Sequence, residues 1–163
     1  MDKSKTEYPK DDLEASISHL LHKAEQISAY HCKKALKGTG LTFRQFSILS
    51  ALTEEKGTHQ SDLSITTAID RSTVAEMLVR LENRKYIKRW QAPSDRRVKF
   101  AYLTRTGREL LEEARPALRV TQSALLDGFA PNRQSDFVRD LKLFIRHNQG
   151  RHLNINKAAP SKT

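Results

Sequence analysis

From Leu13 onward, apolar residues recur three and four positions apart: Leu13, Ile17, Leu20, Leu21, Ala24, Ile27, His31 and Leu36. That is the period of one helix face, and it predicts a long amphipathic helix ending at Gly38 and Gly40. Thr42 reads as the N-cap of a second helix carrying Phe43, Phe46, Ile48, Leu49 and Leu52, which stops near Gly57. A short third helix runs from about Gln60 to Thr67, with Leu63 and Ile65 as its apolar positions. Asp70 reads as the cap of a fourth, over Arg71 to Arg84, whose inward set is Val74, Met77, Leu78 and Leu81. The opposite face presents Arg71, Ser72, Ala75, Glu76, Val79, Arg80 and Asn83.

The period then changes. Tyr86 to Gln91 and Lys99 to Leu103 read as two short strands, joined through a turn-forming, charged stretch from Ala92 to Arg97. Thr104 predicts the start of a long fifth helix with Leu110, Leu111, Ala114, Leu118, Thr121, Leu125 and Leu126 on one stripe. Pro116 interrupts that stripe and predicts a kink or a break. Pro131 opens a last helix with Phe137, Val138, Leu141, Phe144 and Ile145. The expected fold is mainly α with a small β-hairpin wing, a winged helix-turn-helix over 41–108. The helices of 13–40 and 109–148 carry stripes too extensive to bury alone and predict pairing with a second subunit. Residues 1–12 read as a flexible tail and 149–163 as a disordered one.

Composition narrows the function. No apolar run reaches 18 residues, so no membrane span is expected, and the charged first dozen residues do not read as a secretory signal. Cys32 is the only cysteine, which excludes an intramolecular disulfide and fits a reducing cytoplasm. The net charge is +10, and its distribution matters more than its size. Between Arg71 and Arg108 there are eleven Lys and Arg against three acids, so the surplus gathers where a polyanion would be met. A Gly-rich phosphate loop, a nucleophile elbow and an ordered metal set are all missing, which argues against an enzyme and for no cofactor.

The chemistry that remains is that of a DNA reader. In a helix-turn-helix the second helix enters the major groove with its first turn foremost. Here that turn offers Arg71, Ser72 and Thr73, with Glu76 and Arg80 one and two turns on. Arginine can read guanine, and a carboxylate can accept from cytosine. An ordinary helical hairpin with a solvated charged face would look similar. The hairpin adds Asp95, Arg96 and Arg97 at its expected tip. An arginine there can enter the narrow minor groove, and a carboxylate two residues away can orient the guanidinium.

In order along the chain, Leu41-Thr42-x-x-Gln45-Phe46-x-Ile48-Leu49 is followed by Ser61-Asp62-Leu63. Then come Ile69-Asp70-Arg71-Ser72-Thr73-Val74-x-x-Met77-Leu78-x-Arg80-Leu81-Glu82, Ile87-x-Arg89, Asp95-x-Arg97 and Leu103-Thr104-x-x-Gly107. This ordered set resembles the MarR family of winged-helix transcriptional regulators over nearly the whole chain. The resemblance implies a pseudo-twofold homodimer on a palindromic double-stranded DNA operator, most often as a repressor. It adds Ser61 to the DNA-facing residues and implies that Asp95 pairs with Arg97 at the minor groove. The sequence departs from the family at Lys85, where a glycine is usual.

Family members sense small aromatic acids, peroxide or metals. Cys32 stands near the end of the first helix, whereas Ser18 is closer to the place a redox sensor needs. His19 and His22 lie three apart, with Glu25 the only close acid, an unconvincing ligand set. The resemblance to the branch tied to aromatic-acid catabolism implies an aromatic acid or its CoA thioester as effector. His22, Lys23, Tyr30 and Phe46 are the residues that could supply a cation and apolar walls. Redox or metal sensing, and a winged-helix protein–protein adaptor, remain alternatives.

The wing generates a test whose sign is informative. Arg97→Ala is expected to weaken binding to an operator duplex strongly, and Asp95→Ala to weaken it too although it removes a negative charge. Charge alone gives the opposite sign at Asp95, so tighter binding by Asp95→Ala in a fluorescence-anisotropy titration would exclude its orienting role.

Overall fold

The computed structural model describes residues 13–53, 57–92 and 95–158, with the side chains of 91–99 and 150–158 outside that description. The expected tail of 1–12 lies outside the described residues. Contacts divide the chain into a unit of residues 1–121 and a unit of 122–163.

The first unit begins with a 3-10 turn, Leu13–Ala15, before α1, Ile17–Ala35. The first helix is therefore shorter than its stripe predicts. Ser16 is its cap, with its hydroxyl facing the His19 backbone N–H at 3.5 Å. Only the C-terminal end of the stripe is buried in the chain itself, through Cys32 and Leu36, while Leu13, Ile17, Leu20, Leu21 and Ile27 are exposed. α2, Phe43–Ala51, starts from a reciprocal cap. The Thr42 hydroxyl accepts the Gln45 N–H, and Gln45 Oε1 accepts the Thr42 N–H.

α2 ends at Ala51 rather than near Gly57. The chain turns extended at Leu52, where the Thr53 hydroxyl donates to the Gly57 carbonyl and Thr58 Oγ1 accepts the Thr53 N–H. That turn feeds a two-residue strand, β1 (Thr58–His59), which the hydrophobic pattern does not reveal. Two residues are too few to show a period of two.

α3 spans Gln60–Thr67 and α4 spans Arg71–Asn83. Leu63 is fully buried, but Ile65, the other apolar position, is about half exposed. Two residues apart on a helix turn about 200° from each other, so one short helix cannot bury both against one core. β2 (Ile87–Ala92) and β3 (Asp95–Leu103) follow, and the sheet order is β1-β3-β2, antiparallel throughout. The second wing strand thus begins four residues earlier than predicted. Ala92 pairs with Asp95 after an irregularity at Gln91, so Asp95, Arg96 and Arg97 belong to β3, not to an open turn. Turn-forming residues set a local preference, and cross-strand hydrogen bonds override it.

α5, Arg105–Leu126, is continuous through Pro116, so the helix does not break there. An interior proline costs roughly 3 kcal/mol. Pro116 lies on the exposed face, where the carbonyl it leaves unbonded can be hydrated, while Leu111, Ala114 and Leu118 on the other face are buried. Each large buried side chain contributes roughly 1.5–3 kcal/mol, enough together to hold the helix. The core of this unit joins Leu36, Leu41, Ile48, Leu49, Leu63, Val74, Leu78, Leu81, Ile87, Ala101 and Leu111.

In the second unit, Gln134 Nε2 donates to the carbonyls of Leu126 and Phe129, and the Phe129 and Phe137 rings stack at 4.5 Å. α6 runs from Pro131 to Ala158, so residues 149–158, expected to be disordered, are helical. The next proline is Pro160, and no strong breaker precedes it but Gly150. Phe137, Leu141, Leu143, Phe144 and Ile145 of α6 are all substantially exposed.

Two backbone positions decide how the wing is hung. Lys85 has φ +61° and stops α4: its N–H donates to Glu82 O at 2.8 Å and the Tyr86 N–H to Leu81 O at 3.0 Å. A Cβ built on Gly107 would sit 2.0 Å from the Tyr86 carbonyl oxygen, so α5 passes there only as glycine. Lys85→Gly is expected to stabilise the protein by up to about 1 kcal/mol, since glycine takes positive φ without strain. Gly107→Ala is expected to destabilise by about 1–3 kcal/mol through overpacking. Urea midpoints of the two variants check both signs.

Candidate nucleic-acid interface

The turn between α3 and α4 is built from local bonds. Ala68 takes φ +54° to end α3, and the Ser64 hydroxyl donates to Ile69 O at 2.6 Å. Ile69 is buried, which swings Asp70 outward to cap α4. The Asp70 carboxylate accepts the Thr73 N–H at 2.8 Å and the Ser72 hydroxyl at 2.5 Å. These bonds, led by that from Ser72, hold its pKa well below the usual carboxylate range.

The first turn of α4 is therefore preorganised. Arg71 and Ser72 are exposed, Thr73 is half-buried, and Val74 is fully buried beneath them. Ser72 spends its proton on Asp70, leaving its oxygen lone pairs as acceptors. Glu76 and Arg80 are both exposed, but they face each other at 3.6 Å as an i,i+4 pair. A solvated pair of this kind is worth little, about 0–1 kcal/mol, so it can exchange for base or phosphate contacts. Ser61, on the first turn of α3, is exposed and reaches the Asp62 carboxylate at 3.4 Å.

The wing follows directly. Ala101 and Ile87 face the core, while Trp90 of β2, Phe100 of β3 and His59 of β1 form a contiguous aromatic row. The His59 and Phe100 centroids are 4.1 Å apart, and those of Phe100 and Trp90 5.8 Å. The side chains of Asp95, Arg96 and Arg97, and hence their expected pairing, lie outside the described residues.

The sequence profile of the MarR family matches residues 41–99. The transcriptional regulator HosA of Escherichia coli O157:H7 is 30% identical over 99 residues, 61% of this chain and 73% of that one. The repressor NicR of Pseudomonas putida is 32% identical over 108 residues, 66% of this chain and 68% of its own length. With HosA of E. coli O111:H-, the match spans only 56% of the relative.

The chain belongs to the MarR family. Among solved structures, BpsR of Bordetella bronchiseptica, whose DNA binding is regulated by 6-hydroxynicotinic acid, superposes with TM-score 0.74 at 30% identity. That match covers 78% of this chain and 97% of BpsR. CouR of Rhodococcus jostii RHA1, solved with p-coumaroyl-CoA, gives TM-score 0.71 at 25% identity, covering 83% and 95%. CouR has also been solved on a 23-mer DNA duplex (TM-score 0.74, 25% identity, 85% and 99% covered).

In this MarR-family chain the expected effector residues are spread out. His22 and Lys23 are exposed on α1, where Lys23 Nζ lies 3.8 Å from Glu14. Lys23 and Tyr30, seven apart, share a face, whereas His22 is turned from Lys23 by about 100°. Tyr30 is exposed and meets His31 edge-on, while Phe46 is half-buried on α2 beside Phe43. Burial pushes the Cys32 thiol up, partly offset by a hydrogen bond with Ser28, which disfavours the reactive thiolate. Among the described residues no group of three His, Cys, Asp or Glu could hold a metal.

Charge counting overstated the free cations of the winged helix. Arg84 donates to Gly40 O at 3.1 Å and lies 5.0 Å over the Tyr86 ring, and Arg105 pairs with Glu109 at 2.8 Å. Arg89 is bound to Glu82. Counting shows sign and density but not partners; the Glu82/Arg89 spacing of seven across a turn was the available signal.

The cap predicts a pH dependence. A depressed carboxylate pKa adds stability that is complete above the ordinary value of 3.8 and is lost as pH falls below it. Asp70→Asn, which still caps a helix, is expected to flatten that acid limb, and Asp70→Ala to lower stability at neutral pH as well. Urea unfolding of the three proteins between pH 6 and pH 3 checks this.

Proposed function

We propose that this protein is a sequence-specific transcriptional regulator, not an enzyme, that binds a palindromic double-stranded operator as a homodimer. In this reading it is a repressor released by a small planar aromatic acid or its CoA thioester. The observation that carries the DNA half is the exposed first turn of α4, with Arg71, Ser72 and Thr73 on a capped helix, joined directly to a basic wing. Arg71, Arg80, Arg96 and Arg97 carry base and phosphate contacts, supported by Ser61, Ser72, Thr73 and Glu76, and Asp95 orients Arg97. The second copy is supported by the exposed leucines and isoleucines of α1 and the exposed apolar residues of α6, more than a soluble monomer ordinarily leaves in water. No described helix is long and apolar enough to cross a membrane.

Titration of a fluorescent duplex carrying the operator tests this half. With about 6 to 10 phosphates neutralised per dimer, affinity is expected to fall ~10³- to 10⁵-fold between roughly 50 and 200 mM salt. The stoichiometry should be two chains per duplex. A flat salt response would favour a protein–protein adaptor, and one chain per duplex would remove the homodimer.

The effector assignment is supported by the ligands of BpsR and CouR and by the cations and aromatic rings of His22, Lys23, Tyr30 and Phe46. Release requires tighter binding to the DNA-incompetent state; a hundredfold preference corresponds to about 2.7 kcal/mol, an ordinary coupling energy. Benzoates, hydroxycinnamates, hydroxynicotinates and CoA thioesters are to be titrated into the protein–DNA complex. At least one is expected to dissociate it, and Lys23→Ala to weaken that response. Dissociation by peroxide or zinc alone would reassign the sensor.

A further inference from the structure

The wing and the recognition helix are joined by one side-chain lock. Glu82, on the last turn of α4, accepts the backbone N–H of Arg89 through Oε1 at 3.2 Å. Its Oε2 accepts Arg89 Nε at 2.6 Å and also meets Arg89 Nη2. One carboxylate thus holds both the main chain and the guanidinium of a residue in the middle of β2. Both side chains are partly buried, at 31% and 34% exposure. The pairs Glu76–Arg80 and Arg105–Glu109, by contrast, lie within single helices and are well exposed.

Beyond Arg89 the sheet is stiffened on its other face. The Trp90 ring meets Phe100 at a tilt of 43°, and Phe100 meets, at 44°, the ring of His59, which immediately precedes α3. The wing is therefore keyed to α4 through Glu82 and to α3 through His59. Carboxylate–guanidinium contact through two nitrogens fixes orientation as well as distance.

We propose that Glu82 and Arg89 are positioning residues for DNA binding: their lock sets the angle between wing and recognition helix so that both meet one duplex together. Without it the part of the wing beyond Ile87 bends away from α4, and its contacts are made at an entropic cost. The proposal rests on the DNA-binding reading above, but part of its test needs no DNA.

Trp90 is the chain's only tryptophan and adjoins Arg89, so its fluorescence reports on the wing. In Glu82→Gln, time-resolved anisotropy of Trp90 in the free protein is expected to show added local motion, with the melting temperature within a few degrees of the parent. DNA affinity is expected to fall by about tenfold or more, the scale of a lost charge-assisted hydrogen bond. The salt slope should shrink by about 0.9 for each phosphate contact the wing gives up. Arg89→Lys keeps the charge but not the two-nitrogen contact, and should behave alike; it is the deciding variant if Glu82→Gln does not fold. Glu109→Gln, which breaks an exposed pair on α5, should match the parent in all three measurements.

Parental Trp90 anisotropy and parental salt slope in a folded lock variant would overturn the proposal. So would weaker binding with an unchanged Trp90 signal, since that is the mark of general destabilisation. If the parent binds no duplex, the functional reading fails, and Trp90 motion in the free variants still decides whether the lock holds the wing.

Discussion

The backbone at Lys85 and Tyr86 carries the arrangement on which the rest depends. Within two residues it ends α4 through the Lys85 and Tyr86 N–H groups and starts the wing. It then receives α5 on its carbonyls: Tyr86 O accepts the Thr104 N–H at 3.1 Å, and Lys85 O accepts the Thr104 hydroxyl at 2.7 Å. Thr104 Oγ1 in turn accepts the Gly107 N–H at 3.1 Å, so α5 begins where the hairpin closes. Backbone groups have fixed geometry, and a joint made of them leaves less play than one made of long side chains. Gly107 is required because nothing larger fits against Tyr86, and the positive φ of Lys85 is tolerated because the joint over-determines it.

Around that joint, the charged residues divide into two groups. Arg84 and Arg89 are engaged by Gly40 and Glu82 and serve the internal geometry of the winged helix, whereas Arg105 makes only an exposed pair with Glu109 within α5. Arg71 stands at the exposed end of α4, and Arg80 is held only by a solvated partner. The basic surplus is thus partly scaffolding. Proteins that grip a polyanion need both, because a cation contributes to affinity only when the frame brings it to a phosphate without further ordering.

Much of this was legible in the linear pattern because the governing interactions are local. The caps at Thr42, Asp70 and Thr104 are three-residue bonds, and the inward stripes of α4 and α5 follow from 3.6 residues per turn. The exposed α4 residues Arg71, Ser72, Glu76 and Arg80 follow from the same period. Ile65 lies about 200° from Leu63 on a helix too short to turn back, and Pro116 falls on the solvent side of a helix whose other face is anchored.

Sequence alone therefore determined the order of the helices and the wing, the caps at Thr42, Asp70 and Thr104, the inward faces of α4 and α5, and the family, since each rests on spacings within a few residues or on their order. Tertiary structure alone decided the two-residue strand β1, the early start of β3, and the partners of Arg84 and Arg89. Those depend on which distant segments meet: Arg84 reaches Gly40 across 44 residues, and β1 meets β3 at Phe100 and Ala101. A hydrophobic period carries the direction in which a residue faces. It carries nothing about what waits on that side, and for a charged side chain that difference separates a strut from a contact.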